Sequence, residues 1–413
     1  MDRYFSEFKP YKDGIHNDSV ILSTAILECA KKGDRLIVEE GLYKCGTIFL
    51  ENNTNLYLNK GAILKLSENK SDFYSFESGN KIITKNTWED CTYNGRPNNY
   101  FIYAYSKNNI IIDGEGIIDG SEELFIGTVT KYHIEGSYYP RTPLIYIENS
   151  KNIKILNVTL RKSAFWTVHL VGCDTVLIDS IRIKNNPIFT NCDGIDPDHS
   201  RNIIIKNADI YSADDCVVLK TTSYAKNYGP TENIEVYNCK FKSTSAAIKI
   251  GTESVSDFKN IYFHDIDIYD SNRGISLMLR DGGNAENLRF ENINIDTHLV
   301  SPLNWWGRDE GISITNIKRD ENTSVGYIKD VYFKNINIDS ENGITVVGDN
   351  ISNVRFDSIK LNKHNKTMWP KLGLDLRPSI YNVIEDIKFY DLYKKGNIDL
   401  KLINTNLKDI CEE

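Results

Sequence analysis

Asn260-Ile261-Tyr262-Phe263, Asn287-Leu288-Arg289-Phe290 and Asn353-Val354-Arg355-Phe356 are one phrase written three times. An Asn opens it, and apolar residues then fall at every second position, the period at which side chains leave one face of a β-strand. Looser copies are Asn109-Ile110-Ile111-Ile112, Asn152-Ile153-Lys154-Ile155, Thr175-Val176-Leu177-Ile178, Asn202-Ile203-Ile204-Ile205, Asn233-Ile234-Glu235-Val236, Asp330-Val331-Tyr332-Phe333 and Asp386-Ile387-Lys388-Phe389. Successive copies start 23 to 33 residues apart, except for two steps of 43. Such a step holds short strands and their polar turns but no helix long enough for a βαβ crossover, which excludes helical repeats and α/β barrels. The repeat therefore reads as one coil of a solenoid, with strands of successive coils stacked in parallel ~4.8 Å apart and Ile, Val, Leu and Phe turned inward.

The expected fold is all-β, a single parallel β-helix over residues 1–413, although a length of 413 would otherwise suggest two or three domains. Residues 1–75 form an N-terminal cap and the first coils, and residues 105–400 the repeating coils, with loop insertions near 121–142 and 297–327. Ser19 to Lys32, with apolar Val20, Ile21, Ala25, Ile26 and Cys29, reads as a short amphipathic helix that covers the open end of the solenoid.

Hydrophobic residues at 40% and charged residues at 26% exclude a disordered or collagen-like chain. Lys+Arg number 49 against 57 Asp+Glu, a net charge of −8, and no basic run could track a phosphate backbone, so nucleic acid is not an expected partner. Met1 to Glu7 lacks a signal-peptide pattern and no apolar run reaches the ~20 residues of a membrane span. The expectation is a cytoplasmic protein that makes no membrane contact, or a secreted one if a signal has been removed. The eight cysteines are scattered without a Cys-x-x-Cys pair, which argues against a zinc site, and in a chain this long most are expected to be small buried residues, with no dense disulfide framework needed for stability.

The densest acidic chemistry lies in Asn191-Cys192-Asp193-Gly194-Ile195-Asp196-Pro197-Asp198 and Ser212-Ala213-Asp214-Asp215-Cys216. Asp193 and Asp214 are about one coil apart, so the repeat stacks these acids on adjacent rungs. Carboxylates that close do not ionise independently, and one is expected to hold its proton while another stays charged. Glycoside hydrolysis needs that division, one carboxyl donating to the leaving oxygen and another activating water or attacking carbon. Asp214 and Asp215 are adjacent, and on a regular strand they would point to opposite faces, so a turn or bulge is expected between them. The bland alternative is that these acids cap turns and build ladders, as solenoids often do.

These segments resemble the polygalacturonases, family 28 of the glycoside hydrolases. Asn191-Cys192-Asp193-Gly194-Ile195-Asp196-Pro197 is similar to their Asn-Thr-Asp-Gly-Ile-Asp-Pro motif, and Ala213-Asp214-Asp215-Cys216 to their Gly-Asp-Asp-Cys segment. The likeness extends through Ser163 to Leu170 and to the opening coil, covering roughly residues 10 to 360. It implies a right-handed parallel β-helix and inverting hydrolysis of α-linked galacturonate-containing or related pectic chains. It further implies Asp214 as general acid, with Asp193 and Asp215 holding and activating water, and neither cofactor nor metal.

Two family features are absent. The family's Gly-His-Gly aligns with Thr244-Ser245-Ala246, and its Arg-Ile-Lys, whose cations would pair with a uronate, aligns with Ser276-Leu277-Met278. That loss makes a rhamnogalacturonan or neutral-sugar substrate an alternative. Candidate sugar contacts are Asn191, His169, Lys220, Ser245, Lys249, Glu253, Arg273 and Arg280, joined by Trp305 and Trp306 in the long loop, whose rings suit a pyranose face. The insertion with Tyr132, His133, Tyr138 and Tyr139 is a candidate groove wall. Two competing readings are a lyase whose Asp193, Asp196, Asp198, Asp214 and Asp215 hold calcium, and a carbohydrate-binding β-helix with vestigial acids. Sugar identity, endo or exo action and oligomeric state are left open by the sequence.

Overall fold

The computed structural model of the chain describes residues 1–74, 97, 99–129, 134–137, 141–300, 307–364 and 390–413. The copy at Asp386 to Phe389, the paired Trp305 and Trp306, and the loop aromatics Tyr132, His133, Tyr138 and Tyr139 lie outside these residues. The chain divides into two compact units, Met1–Asp209 and Ile210–Glu413. Each is a right-handed parallel β-helix, as the repeat and the motif resemblance together led one to expect. No helix among the described residues is long and apolar enough to cross a membrane.

In the first unit each full coil carries three strands, and each strand pairs with its equivalents in the coils before and after. One column runs through Asn108–Gly114, Lys151–Leu156, Asp174–Asp179 and Arg201–Lys206. A second runs through Ile117–Asp119, Thr159–Arg161 and Arg182–Lys184. The third contains Ile102–Tyr105, Ile145–Glu148, Val168–Val171 and Ile195–Asp198. The helix Ser19–Lys32 buries Leu22, Ala25, Ile26, Cys29 and Ala30, a single stripe at helical spacing, against the strands Arg35–Val38 and Ile48–Phe49. Val20 differs from expectation, being 72% exposed on the opposite side. Gly33 ends the helix at φ 71°, a left-handed conformation that glycine adopts at no steric cost.

In the second unit one column is made of long bent strands, Thr231–Ser243, Phe258–Ser271, Ala285–Thr297, Ile328–Ser340 and Ile351–Lys363. The remaining column comprises Val217–Thr221, Ala246–Ser254, Arg273–Leu279, Glu310–Asn316, Asn342–Gly348, Leu392–Lys395 and Ile410–Glu412.

The structure explains why Asn opens the phrase. Asn233, Asn260, Asn287, Asp330 and Asn353 all have φ between 51° and 56°, and Asn238, Asp265, Asn292 and Asn335 bend the same strands at φ between 53° and 58°. Asn and Asp tolerate this left-handed region best among residues with a side chain. Their amides then bond from rung to rung, Asn287 Nδ2 to Asn260 Oδ1 at 2.8 Å and Asn335 Nδ2 to Asn292 Oδ1 at 2.9 Å. Inside, Phe263, Phe290, Phe333 and Phe356 stack with centroids 5.6, 4.9 and 4.8 Å apart. Polar ladders outside and apolar columns inside thus fix the same register, because a slip of one residue would break both.

Candidate active site

The first unit carries the motif around Asp193 in the turn before the strand Ile195–Asp198. Asn191 reverses the chain at φ 57°, and its Oδ1 accepts a bond from Arg141 Nη2 at 2.8 Å. Arg141 also donates to the Thr190 carbonyl at 2.6 Å and lies over the rings of Phe165 and Phe189. This buried arginine braces the motif and was not anticipated, since no local pattern links it to a turn 50 residues away. Asp193 is 2% exposed, and its carbonyl accepts from Thr167 N at 3.0 Å and Thr167 Oγ1 at 2.6 Å. Asn185 Nδ2 donates to the Cys192 carbonyl at 3.0 Å, so the backbone leading into Asp193 is held from two sides.

His169 faces Asp196 across the strand pair and has no exposed surface. Its Nε2 lies 3.2 Å from Asp198 Oδ2, and the ring meets Trp166 and Tyr146 edge-on at 4.8 and 5.2 Å. In that position it packs within the core and meets a carboxylate of the next coil.

The second unit carries the Asp214–Asp215 pair. Neither residue is on a strand: the strand ends at Ser212 and the next begins at Val217, so a bend separates the two acids and removes the conflict of opposite faces. Ser212 Oγ donates to the carbonyls of Asp214 and Asp215 at 2.8 and 3.1 Å, and Ser243 Oγ to that of Asp214 at 2.7 Å. Thr244 Oγ1 adds a bond to the Ala213 carbonyl at 2.5 Å. The hydroxyl of Ser212 and two hydroxyls from the next rung therefore hold the bend, where a regular strand would have used backbone pairing.

Asp215 is gathered with two of the expected sugar contacts. Its Oδ1 accepts from Ser245 Oγ at 3.0 Å and Ala246 N at 3.2 Å, and its Oδ2 lies 2.8 Å from Lys249 Nζ. Ser245 and Lys249 thus hold a catalytic candidate. Lys220 Nζ lies 3.2 Å from Glu253 Oε2, with both residues almost fully buried. Burial opposes ionisation of Glu253, but the cations of Lys220, Arg319 and Lys249 outweigh it and hold the carboxyl at about 2.

Arg273 is committed to a carboxylate as well. Its Nε and Nη2 meet Glu310 Oε2 and Oε1 at 2.9 and 3.2 Å, a two-point contact with both side chains buried. Burial raises the cost of ionising Glu310, yet Arg273 more than compensates and holds its carboxyl below the usual range. The guanidinium also reaches Ser276 Oγ at 3.5 Å and Met278 Sδ at 3.6 Å, the two positions where the motif alignment lacks cations. A side chain on Gly307 would strike it at 2.9 Å, so the backbone closes over the guanidinium. Arg280 is 4% exposed, with its amide bonded to Ser254 Oγ at 2.8 Å. The Glu310 partner was missed, but a signal for it exists: Arg273-Gly274-Ile275-Ser276, Glu310-Gly311-Ile312-Ser313 and Asn342-Gly343-Ile344-Thr345 are one repeat, and Ile275, Ile312 and Ile344 face one another in register.

The described cysteines are all free thiols.

The descriptive model for glycosyl hydrolases family 28 matches residues 54–369. A probable polygalacturonase of Vitis vinifera is 29% identical over 280 residues, which is 66% of this chain and 55% of that protein. An endo-polygalacturonase of Pectobacterium parmentieri is 25% identical over 319 residues, 75% of this chain and 74% of its own length. The chain therefore spans about half of the first relative and three quarters of the second. The crystal structure of a hyperthermoactive exopolygalacturonase from Thermotoga maritima shares the fold, with a TM-score of 0.71 at 19% identity over 100% of this chain and 91% of that one. With the family match covering well over half of the sequence and falling on both aspartate motifs, the chain belongs to family 28 of the glycosyl hydrolases.

Proposed function

We propose that this protein hydrolyses α-glycosidic bonds in a pectic oligosaccharide with inversion, and that the sugar bound beside the Asp214–Asp215 bend is neutral. Asp214 donates the proton to the leaving oxygen, and Asp215 activates water, a role that its motif assigns to Asp193 as well. The observation that carries the neutral-sugar reading is the state of the cations in the second unit. Lys249 is bonded to Asp215, Lys220 to Glu253, Arg273 to Glu310 and Arg319 to Asp281. A uronate carboxylate drawing on Lys249, Lys220 or Arg273 would have to displace a buried carboxylate, leaving a charge in a dry environment at a cost of several kcal/mol. A hydroxylated neutral ring avoids that cost.

The test is release of reducing ends from galacturonan, rhamnogalacturonan and neutral α-linked pectic oligosaccharides, with EDTA present and Asp214→Asn beside the wild type. The expected result is cleavage of a substrate with a neutral residue at the scissile bond, EDTA-resistant, lost in Asp214→Asn, and giving the inverted anomer by NMR at early times. Unsubstituted galacturonan as the best substrate would refute the neutral-sugar assignment while leaving the hydrolase reading intact. An unsaturated product or calcium dependence would refute hydrolysis itself.

A further inference from the structure

Among the described residues, several outer ladders of the second unit share a rule that one facing pair of carboxylates breaks. At each rung of the column Asp267, Asn294 and Asn337 an amide donates to the previous side chain, Asn294 to Asp267 and Asn337 to Asn294, both at 2.8 Å. The columns through Asp265, Asn292 and Asn335 and through Asp330 and Asn353 obey the same alternation. Two residues further along the strands, Asp296 faces Asp339 directly in register. Like charges opposite one another on neighbouring strands repel, and no amide stands between these two. Asn362 continues the column, donating to Asp339 Oδ1 at 3.2 Å.

The exception coincides with a histidine. The amide of His364 is fixed to the Ser340 carbonyl at 3.0 Å. Among the described residues neither ring nitrogen, both buried, has a hydrogen-bond partner, although Asp339 Oδ1 lies 3.5 Å from Nε2. One ligand atom from each of Asp296, Asp339 and His364 lies within 4.8 Å of the others, so side-chain shifts of well under 1 Å bring all three within reach of a single cation with bonds near 2.1 Å. A surface cavity of about 580 Å³ is bounded by Asp296, Asp339 and Asn362, among others, and gives an ion a route in and room for the waters that would complete its shell.

We propose that Asp296, Asp339 and His364 form a binding site for a divalent transition ion of the zinc and manganese class. Two carboxylates and one imidazole make a mixed oxygen and nitrogen set, which suits these ions better than calcium, which prefers oxygen alone, or copper(I), which prefers sulfur. The ion clips three successive coils together, and it is independent of the aspartates assigned to hydrolysis.

The test is calorimetric titration of EDTA-stripped, dialysed protein with ZnCl₂ and with MnCl₂, paired with thermal unfolding at increasing metal concentration. The wild type is expected to bind one ion of at least one metal per chain, with an unfolding midpoint that rises with metal. Asp339→Asn extends the ladder pattern and should fold; it and His364→Leu are each expected to weaken binding tenfold or more and to abolish the rise, while Asp214→Asn binds as the wild type does. Failure of the wild type to bind either ion, unchanged affinity in both Asp339→Asn and His364→Leu, or loss of binding in Asp214→Asn would each overturn the proposal.

Discussion

Replacing Arg273 with Met strands the Glu310 carboxylate with its two-point partner gone and almost no water to take its place. Removing one member of a buried ion pair costs about 3–5 kcal/mol. The bond from Arg308 N to Glu310 Oε2, at 2.8 Å, remains but cannot neutralise the charge. Replacing both residues with Met removes the stranded charge and leaves apolar volume in its place, so most of that loss should return, minus about 1 kcal/mol for the Arg308 bond. Urea unfolding of the wild type, Arg273→Met, Glu310→Met and the double variant gives the coupling directly, and several kcal/mol is expected. Activity separates the two roles that sequence position left open. If Arg273 is structural, the folded double variant keeps the kcat and KM of the wild type. A single-variant cost below about 1 kcal/mol, or a folded double variant that no longer saturates with an acidic oligosaccharide, would refute the reasoning and return Arg273 to the sugar-binding set.

Asp214→Asn should lower hydrolysis by about 10²–10⁴-fold with unchanged circular dichroism, since its carbonyl bonds to Ser212 and Ser243 survive the exchange. Glu253 holds its proton more weakly folded than unfolded, so its contribution is present above the ordinary glutamate range and lost as pH falls from about 4.5 through about 2. Denaturation at stepped pH should show a loss on the order of 3 kcal/mol across that window, diminished in Glu253→Gln. Phe333→Ala, in the middle of the inner stack, should cost about 3–5 kcal/mol by urea unfolding, whereas exposed Val20→Ala should cost almost nothing.

The coil was readable because one residue type marks a backbone conformation. Asn at a left-handed φ recurs once per turn, and the apolar alternation beside it gives the strand, so strand type and coil length both lie in the local sequence. The helix Ser19–Lys32 was legible for the same reason, although its buried stripe runs through Leu22 and not Val20. The bend at Asp214 was forced by two adjacent acids that could not share a strand. What stayed hidden were partners supplied by other coils. Lys249 reaches Asp215 across 34 residues, and Arg273 reaches Glu310 across 37, over a coil lengthened by the tryptophan loop. Three cations that looked available for a ligand, Lys220, Lys249 and Arg273, turn out to be answered by carboxylates of the chain itself, and only the Gly-Ile-Ser repeat carried a hint of one pairing.

The ladders have a consequence for how such a molecule changes over time. Phe258 to Asn284 is one coil of 27 residues, and its Asn260 column and its inward apolar columns are answered by the same chemistry on the coil before and the coil after. Excising or duplicating that whole stretch would keep asparagine against asparagine in the Asn260 column and apolar against apolar inside, whereas losing three or four residues would mismatch both. The gene can therefore be edited in whole turns but not in fractions of one, so length along the stack is inherited in quanta of ~4.8 Å.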